Sequence, residues 1–310
     1  AVAQAGLSEE LLQGGRCGIA LGSTLGSPQS THDFFEIFFE KNSIVGLKGT
    51  AFLQCMGHTC AANLAVMLGV RGRVVAPLSA CASGTQALGP AFETIRSGAQ
   101  DIMLAGGADE AHFTTAITFD LVRGTSTHFH DTPAATPRPF DVDRDGLVVG
   151  AGSGVLVLES WDHAVQRGAP VLAEVLGYAS NCDGTHMSQP VAEGMVACMQ
   201  AALRSAEVAP EDIDYINAHA TATVVGDGIE AEAIRTAFRQ PPPVSTQKGH
   251  LGHTLGACGA LETIFSVRAL QEQVLPPTNN LTSEDPACSG MPPENEARPA
   301  QLRHIQTQNF

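Results

Sequence analysis

The sequence is poor in positive charge. Its 310 residues include 17 Lys and Arg against 32 Asp and Glu, which gives a formal net charge of −15 at pH 7. Because binding to phosphates needs a net basic face, nucleic acid is not an expected partner. An anionic membrane surface is disfavoured for the same reason.

Long apolar runs are missing as well. The uncharged stretch 74–92 is interrupted by Pro77, Gly84, Gly89 and Pro90, so the sequence predicts no membrane span. The chain opens without a basic and apolar leader, and a cytoplasmic location is expected.

Cysteine occurs eight times but never as a CxxC pair, which is typical of a reducing compartment and not of a disulfide framework. One cluster, Cys55, His58 and Cys60, offers three soft ligands within six residues. A fourth ligand at a suitable spacing is missing nearby, so no metal site is expected there. The sequence also has no phosphate-binding glycine loop, and no cofactor is expected.

The sequence does supply material for a core. With 44% hydrophobic residues and 32 glycines, a chain of this length should bury roughly 75% of its unfolded surface. Short β-rich runs alternate with longer helical stretches rich in Ala and Gly, which indicates an α/β fold with helices packed on sheets. The predicted strands are 17–20, 74–77, 101–105, 155–159, 171–178 and 215–217. The predicted helices are 31–41, 59–68, 84–97, 161–167, 192–206, 228–238 and 255–272.

Two of these helices are similar to each other. Cys81 is followed at +3 by Gly84, and His253 is followed at +3 by Gly256; small residues then continue along both helices. Small side chains let helices approach closely, and a buried helix N-terminus presents free N–H groups and a positive dipole end. The match indicates a duplicated unit whose two central helices begin at one site. The alternative is a chance match, since helices rich in Ala and Gly are common in cores.

Three side chains stand out as candidates for chemistry. Cys81 lies between a predicted strand and a small-residue helix, a setting that favours a thiolate able to accept an acyl group. His219 follows an apolar strand, and His253 precedes the second small-residue helix; in α/β proteins, sites collect at such positions. The other histidines singled out are expected to be ordinary surface or core residues: His112, His128, His130, His163 and His304.

Four motifs in collinear order resemble the β-ketoacyl-acyl carrier protein synthases, condensing enzymes with the thiolase fold. The motifs are 79–84, Arg138-Pro139-Phe140-Asp141 with Arg144-Asp145-Gly146, 217–227 and 248–262. The resemblance implies a five-layered αβαβα fold of two similar halves, 1–160 with the nucleophile and 161–310 with two catalytic histidines. The family's pattern also extends beyond both ends of this sequence, into a first strand and into a glycine-rich gate and last strand.

The resemblance also implies roles for individual residues. Cys81 would accept the acyl group, and His219 and His253 would handle the malonyl thioester. Lys248 and Glu262 match the family's lysine and glutamate. Further residues implied are Glu230 and Asp227 as supporting groups and Thr221, Thr223 and Phe310 as substrate contacts.

The implied reaction is a decarboxylative condensation without metal, flavin or nucleotide. A Cys-His-His set is typical of elongating enzymes in the family, so we expect fatty acid biosynthesis. Two alternatives stay open: a ketosynthase of polyketide or polyene biosynthesis, and a non-catalytic partner subunit that sets chain length. Ala220 replaces the glycine usual after the first histidine, so the acyl pocket is expected to differ in shape from that of the family. The run 150–154 lacks the family's acidic residue.

The implied partners are acyl- and malonyl-loaded acyl carrier protein and a second subunit, giving a homodimer or a heterodimer with a related ketosynthase-like chain. Carrier protein is acidic, and so is this chain, so docking requires a local basic patch. The candidate residues for such a patch are Lys41, Lys48, Arg71, Arg73 and Arg123.

Overall fold

The computed structural model of the protein describes residues 1–186 and 189–310, which form two compact units. The first unit consists of Ala1–Thr118, Ala151–Pro170 and Thr254–Leu261, and the second of Phe119–Gly150, Val171–His253 and Glu262–Phe310. Within the described part of the chain, no helix combines the length and the apolar character that crossing a bilayer requires.

The first unit is built on a four-stranded mixed sheet in the order β2-β1-β3-β4. Only β4 runs antiparallel to its neighbour. Its strands are β1 (Cys17–Gly22), β2 (Val74–Val75), β3 (Ile102–Asp109) and β4 (Gly152–Glu159). Its helices are α1 (Glu9–Gln13), α2 (Pro28–Lys41), α3 (Thr50–Cys55), α4 (Thr59–Leu68), α5 (Ser83–Arg96), α6 (Phe113–Leu121, which runs on into the second unit) and α7 (Trp161–Gln166).

Alternation along the central strands explains why helices cover both faces of this sheet. Ile19 of β1 and Leu104 of β3 pack with α4 through Ala61 and Ala65. The intervening residues pack on the opposite face against α5; they are Ala20, Met103 and Ala105, with Ala87 and Ala91 on the helix. Because successive strand residues point to opposite faces, an apolar run without polar alternation has to be buried on both sides.

The second unit has a three-stranded parallel sheet in the order β6-β5-β9 and a small antiparallel pair, β7-β8. Its helices are α8 (Ala192–Ala206), α9 (Val224–Ala237), α10 (Lys248–Leu251) and α11 (Cys258–Glu272, which begins in the first unit). Its strands are β5 (Tyr215–Asn217), β6 (Val244–Ser245), β7 (Val274–Leu275), β8 (Arg298–Pro299) and β9 (Ile305–Thr307).

One predicted strand is wrong. The segment 171–178 has no regular secondary structure, and most of its side chains are exposed. Its β-branched residues favour an extended backbone, but a strand also needs a neighbour for its ladder of hydrogen bonds, and the residues that the structure describes place none beside it.

Other bounds differ in smaller ways. Helix α9 begins at Val224, four residues before the predicted start at Gly228, and Thr223 is its N-cap. The predicted helix 255–272 opens with a 3₁₀ turn at Leu255–Ala257 before α11. Helices α1, α3, α6 and α10 and strands β6 to β9 were not predicted.

Candidate active site

The three parallel strands of the second unit end at one edge of their sheet, and a polar side chain follows each of them. His219 comes two residues after β5, Lys248 three after β6, and Asn309 two after β9. Sites in α/β proteins lie beyond the carboxyl ends of such strands. This edge of the sheet therefore carries the candidate catalytic side chains of the second unit.

Lys248 is buried there and is paired with a carboxylate. It is one of only three lysines in the chain. Its side chain is 2% exposed, and its Nζ atom contacts Oε1 of Glu262, which is 3% exposed. Burial raises the pKa of Glu262, while the Lys248 ammonium opposes that rise. Lys248 is therefore a buried cation whose charge is balanced by Glu262.

His219 and His253 form a close pair of imidazoles in the same unit. Their ring centroids are 5.3 Å apart, and the rings meet edge to face. Burial, and then the positive charge of Lys248, hold the pKa of both rings well below the usual 6.5. Both imidazoles are therefore neutral near pH 7, and each carries one N–H.

The backbone of His253 is held on both sides. Its N–H donates to the carbonyl of Val148 at 2.7 Å, and its carbonyl accepts from the N–H of Gly150 at 2.9 Å. These bonds form an isolated parallel bridge between 149 and 253. They fix the chain immediately before the 3₁₀ turn that leads into α11.

Glu230 fixes the backbone of His219. Its two carboxylate oxygens accept the N–H groups of His219 at 2.8 Å and Ala220 at 2.7 Å. Gln308 adds a third bond, from Nε2 to Oε1 at 2.7 Å. Burial raises the pKa of Glu230, whereas these hydrogen bonds oppose the rise.

Asp227 holds the loop that follows His219. Its carboxylate accepts the N–H of Ala222 at 3.0 Å and of Phe140 at 2.9 Å, and Nε of Arg144 lies 3.8 Å away. Ala222 has φ +69°, a left-handed conformation that costs energy for a residue with a Cβ and needs such support. Burial raises the pKa of Asp227 to about 7 against the effect of these donors.

The three residues predicted to contact substrate also lie in this unit. Thr221 and Thr223 are half-buried and bond to each other, with 3.0 Å between their Oγ1 atoms. Phe310 packs beside the first histidine, with its ring centroid 6.3 Å from that of His219 and the rings nearly perpendicular.

Sequence reasoning missed Asn309. Its Nδ2 atom lies 2.6 Å from Oε2 of Glu262 and 3.2 Å from Nδ1 of His219. The available indication was positional: Asn309 comes just after a short β-branched run at the carboxyl end of a strand. That run was too short to be predicted as a strand.

Cys81 lies in the first unit, in a tight bend between β2 and α5. Ala80 adopts φ +48°, and the half-buried Cys81 precedes the helix start at Ser83 by two residues. The Oγ atom of Ser83 accepts the N–H of Ser79 at 2.8 Å, which closes the bend. Strained backbone of this kind collects at functional sites, where the surrounding structure holds it.

The two small-residue helices meet within the first unit. A Cβ at Gly84 would stand 2.7 Å from the carbonyl oxygen of Gly256 and 3.1 Å from the nitrogen of Ala260. Only glycine therefore fits at position 84. The two small-residue segments are in close backbone contact at this point.

Asp109 joins the segments around this contact and was also missed. Its carboxylate accepts from Ser23 Oγ at 2.6 Å, from the N–H of Thr24 at 2.9 Å and from the N–H of Gly256 at 2.7 Å. It thus ties the ends of β1 and β3 to the turn that precedes α11. The predicted strand stopped at residue 105, so Asp109 did not stand out as the carboxylate at the end of a strand.

Two family models match the chain in succession. The N-terminal domain of beta-ketoacyl synthase matches residues 1–164, and the C-terminal domain matches residues 172–282. The chain belongs to the beta-ketoacyl synthase family. The family resemblance of the sequence motifs is confirmed.

Known proteins show the same relationship. The mitochondrial 3-oxoacyl-[acyl-carrier-protein] synthase of Arabidopsis thaliana is 38% identical over 279 residues, which cover 87% of this chain and 60% of that protein. The chain thus spans about three fifths of the length of that relative.

Solved structures extend this to the fold. A beta-ketoacyl synthase from Burkholderia phymatum is 43% identical and superposes with a TM-score of 0.96, covering 100% of this chain and 76% of that one. The predicted thiolase-like α/β fold class is confirmed. A type II polyketide ketosynthase, solved in complex with its acyl-carrier protein and bound to the hexaketide, is 29% identical with a TM-score of 0.94, over 99% and 78% of the two chains.

Proposed function

We propose that this chain is a β-ketoacyl-[acyl-carrier-protein] synthase that condenses an acyl-enzyme with malonyl-carrier protein in fatty acid biosynthesis. The observation that carries the proposal is the buried, neutral pair of His219 and His253. Decarboxylation of a malonyl thioester develops negative charge on the thioester oxygen. Two N–H donors preorganised in a dry site stabilise such an oxygen.

The reaction proceeds in two transfers. The Cys81 thiolate attacks the acyl-carrier thioester, the bond from the acyl carbon to the carrier sulfur breaks, and the carrier leaves as a thiolate that takes a proton from water. Malonyl-carrier then loses carbon dioxide, and the electron pair of the broken C–C bond moves into an enolate held by the two histidines. The enolate carbon attacks the acyl group on Cys81, the C–S bond breaks, and a β-ketoacyl-carrier product leaves.

Lys248 and Glu262 serve the histidine pair by charge. A buried ammonium close to both rings keeps them neutral, and Glu262 makes that ammonium tolerable in a dry site. Glu230 and Asp227 hold the chain on either side of Ala220. We assign substrate contacts to Thr221, Thr223 and Phe310, and part of a second oxyanion hole to the backbone N–H of Cys81.

We propose acyl carrier protein as the partner. Support comes from the polyketide ketosynthase solved in complex with its acyl-carrier protein. Because this chain is acidic, we assign docking to exposed cations. The candidates are those predicted from the sequence: Lys41, Lys48, Arg71, Arg73 and Arg123.

We also propose an oligomeric state, a cellular location and a division into halves, each expected from the sequence. The chain works as a dimer with a second copy or with a related ketosynthase-like subunit. It works in the cytoplasm, which its cysteine usage supports. Its two halves divide near residue 160.

A second candidate activity is that of a polyketide ketosynthase. The 0.94 TM-score to a polyketide enzyme favours it, since both classes share this chemistry and differ in the acyl chain they accept. Cys81 argues against the third alternative, a non-catalytic chain-length subunit, because such subunits lack the nucleophile.

The test is a condensation assay with malonyl-carrier and a series of acyl-carriers. Carbon dioxide release and β-ketoacyl-carrier formation are followed together, with saturated acyl chains in one arm and polyketide intermediates in the other. We expect product from the saturated arm. Product from the polyketide arm alone moves the assignment to the second candidate, and no product in either arm overturns the proposal.

A further inference from the structure

We propose that Asn309 is a positioning residue that sets the tautomer of His219, so that the ring proton lies on Nε2. The inference rests on the proposed function for its catalytic meaning but not for its geometry. It deepens that function by explaining how one of the two donors is made ready before substrate arrives.

The two oxygens of Glu262 have different neighbours. Oxygen Oε1 of Glu262 contacts the Lys248 ammonium, and the two side chains are 3% and 2% exposed. The ammonium donates to Oε1, and its positive charge favours the ionised carboxylate, in which both oxygens accept. Whatever faces the other oxygen, Oε2, must be a donor.

The amide nitrogen of Asn309 lies between Glu262 and His219. Its nitrogen lies 2.6 Å from Oε2 of Glu262, and an amide oxygen in that place would set two acceptors against each other. The carboxylate therefore fixes which way the amide points. The same nitrogen lies 3.2 Å from Nδ1 of His219 and has a second hydrogen to donate.

The amide of Asn309 determines which nitrogen of the His219 ring carries the proton. Because Asn309 donates to Nδ1, this atom must be the unprotonated acceptor, and the single proton of a neutral ring lies on Nε2. Burial keeps the ring neutral. Nε2–H is then the free donor of the ring, available to a developing oxyanion.

The ring itself is held by other groups. Glu230 fixes the backbone N–H of His219, and Phe310 meets the ring edge to face. Removing the amide of Asn309 should therefore alter the proton position more than the ring position. That separates tautomer control from simple packing.

The experiment combines nitrogen NMR with decarboxylation kinetics. The protein is labelled with ¹⁵N-histidine, and the His219 signals are identified by their loss in His219→Gln. In the wild-type chain we expect an unprotonated shift at Nδ1 and a protonated shift at Nε2. A proton on Nδ1 of wild-type His219 overturns the proposal whatever any variant does.

Asn309→Asp supplies the decisive variant. A carboxyl group at 309 also meets Oε2 of Glu262, so the two carboxyl groups must share one proton. With that proton held between them, the oxygen at 309 faces Nδ1 of His219 as an acceptor, so the tautomer should reverse and malonyl-carrier decarboxylation should fall by about 10²–10³-fold near pH 8. A carboxylate beside His219 also raises the pKa of the ring, and an imidazolium carries both protons. Activity of this variant should thus recover as the pH falls, unlike that of the wild type.

Two further variants keep the test decisive. Asn295→Asp makes the same chemical change at an exposed residue and should leave both spectrum and rate unaltered. Asn309→Ala should give a mixture of both tautomers, and it answers the question if Asn309→Asp does not fold. An unchanged His219 tautomer in Asn309→Ala contradicts the proposal. A wild-type chain with the expected tautomer but no decarboxylation contradicts the proposed function instead.

Discussion

Lys248 and Glu262 are 14 residues apart in sequence and form a buried ion pair, with each side chain no more than 3% exposed. Glu262 bonds through its other oxygen to Asn309, which in turn reaches His219. One charge pair thus connects helix α10, helix α11 and the chain after β9. The electrostatics of the imidazole pair depend on it.

Replacement of Lys248 by Ala should damage stability and catalysis together. The change leaves Glu262 buried without its ammonium, and breaking such a pair costs about 3–5 kcal/mol. Urea unfolding measures the loss, and titration with carrier protein should show unchanged affinity because Lys248 is not on the surface.

Arg268→Ala is the matched control. Arg268 pairs with Glu272 on the same helix α11, but both side chains are more than half exposed. Such pairs contribute roughly 0.3–0.5 kcal/mol. A Lys248 variant that loses carrier affinity but keeps full turnover on a small thioester would show that this lysine acts in docking.

The two histidines should each be needed for decarboxylation. His219→Ala or His253→Ala removes one of two donors to the enolate oxygen, a loss that typically costs about 10²–10³-fold in rate. Acyl transfer to Cys81 should survive better in at least one variant. Release of labelled carbon dioxide from malonyl-carrier measures the effect, and a normal rate in either variant refutes the paired-donor arrangement.

Acid should destabilise the protein through the same two rings. Their pKa is well below 6.5 in the folded state, whereas in the unfolded chain it returns to about 6.5. Below that pH the unfolded state binds more protons, so the free energy of unfolding falls as the pH drops.

A comparison of variants isolates this effect. Urea unfolding is measured at pH 7.5, 6.5 and 5.5. The free energy of unfolding should fall less over this range for His253→Gln than for the wild type. The raised pKa values of Glu230 and Glu262 act in the opposite direction, but in both proteins alike. Equal decreases would mean that His253 is not buried in its neutral form.

Charge reversal at Arg71, Arg73 or Arg123 should weaken carrier binding and leave reaction with a small thioester unaltered. All three side chains are exposed. Contacts between exposed charges are screened by salt, so the loss should be larger at low than at high ionic strength. Arg239→Glu, another exposed position, is the control. Equal losses in all four variants would point to net charge and not to a docking patch.

Much of the fold was accessible from sequence because local pattern and packing agree. The helices at 59–68 and 192–206 were predicted to the residue. The run 17–20 was predicted from its apolar residues alone and proved to be the buried start of β1. The segment 171–178 is also mostly apolar and contains two valines, but a strand depends on a neighbour that composition does not show.

Some residues of the candidate site could be predicted from local sequence, and others could not. Cys81, His219 and His253 were found because each lies at the boundary of a strand or helix and has an unusual side chain. Asn309 and Asp109 were not, since an amide and a carboxylate are common residues. Their importance comes from contacts with residues 47 and 147 positions away, Glu262 and Gly256, which no local pattern reveals.

The most direct test of the account is the mass of the protein after incubation with acyl-carrier protein, before and after a chase with malonyl-carrier. Burial raises the pKa of Cys17 to about 11 and of Cys288 to about 12, so these thiols should not compete. Cys182 is exposed, so the experiment uses a Cys182→Ser background.

We predict one acyl mass that maps to Cys81, its disappearance on the chase, and an equal amount of β-ketoacyl-carrier. Cys81→Ser should take up no acyl mass and form no product, whereas Cys81→Gln should still decarboxylate malonyl-carrier. An acyl group mapped to another residue, or condensation by the Ser variant, would contradict the account.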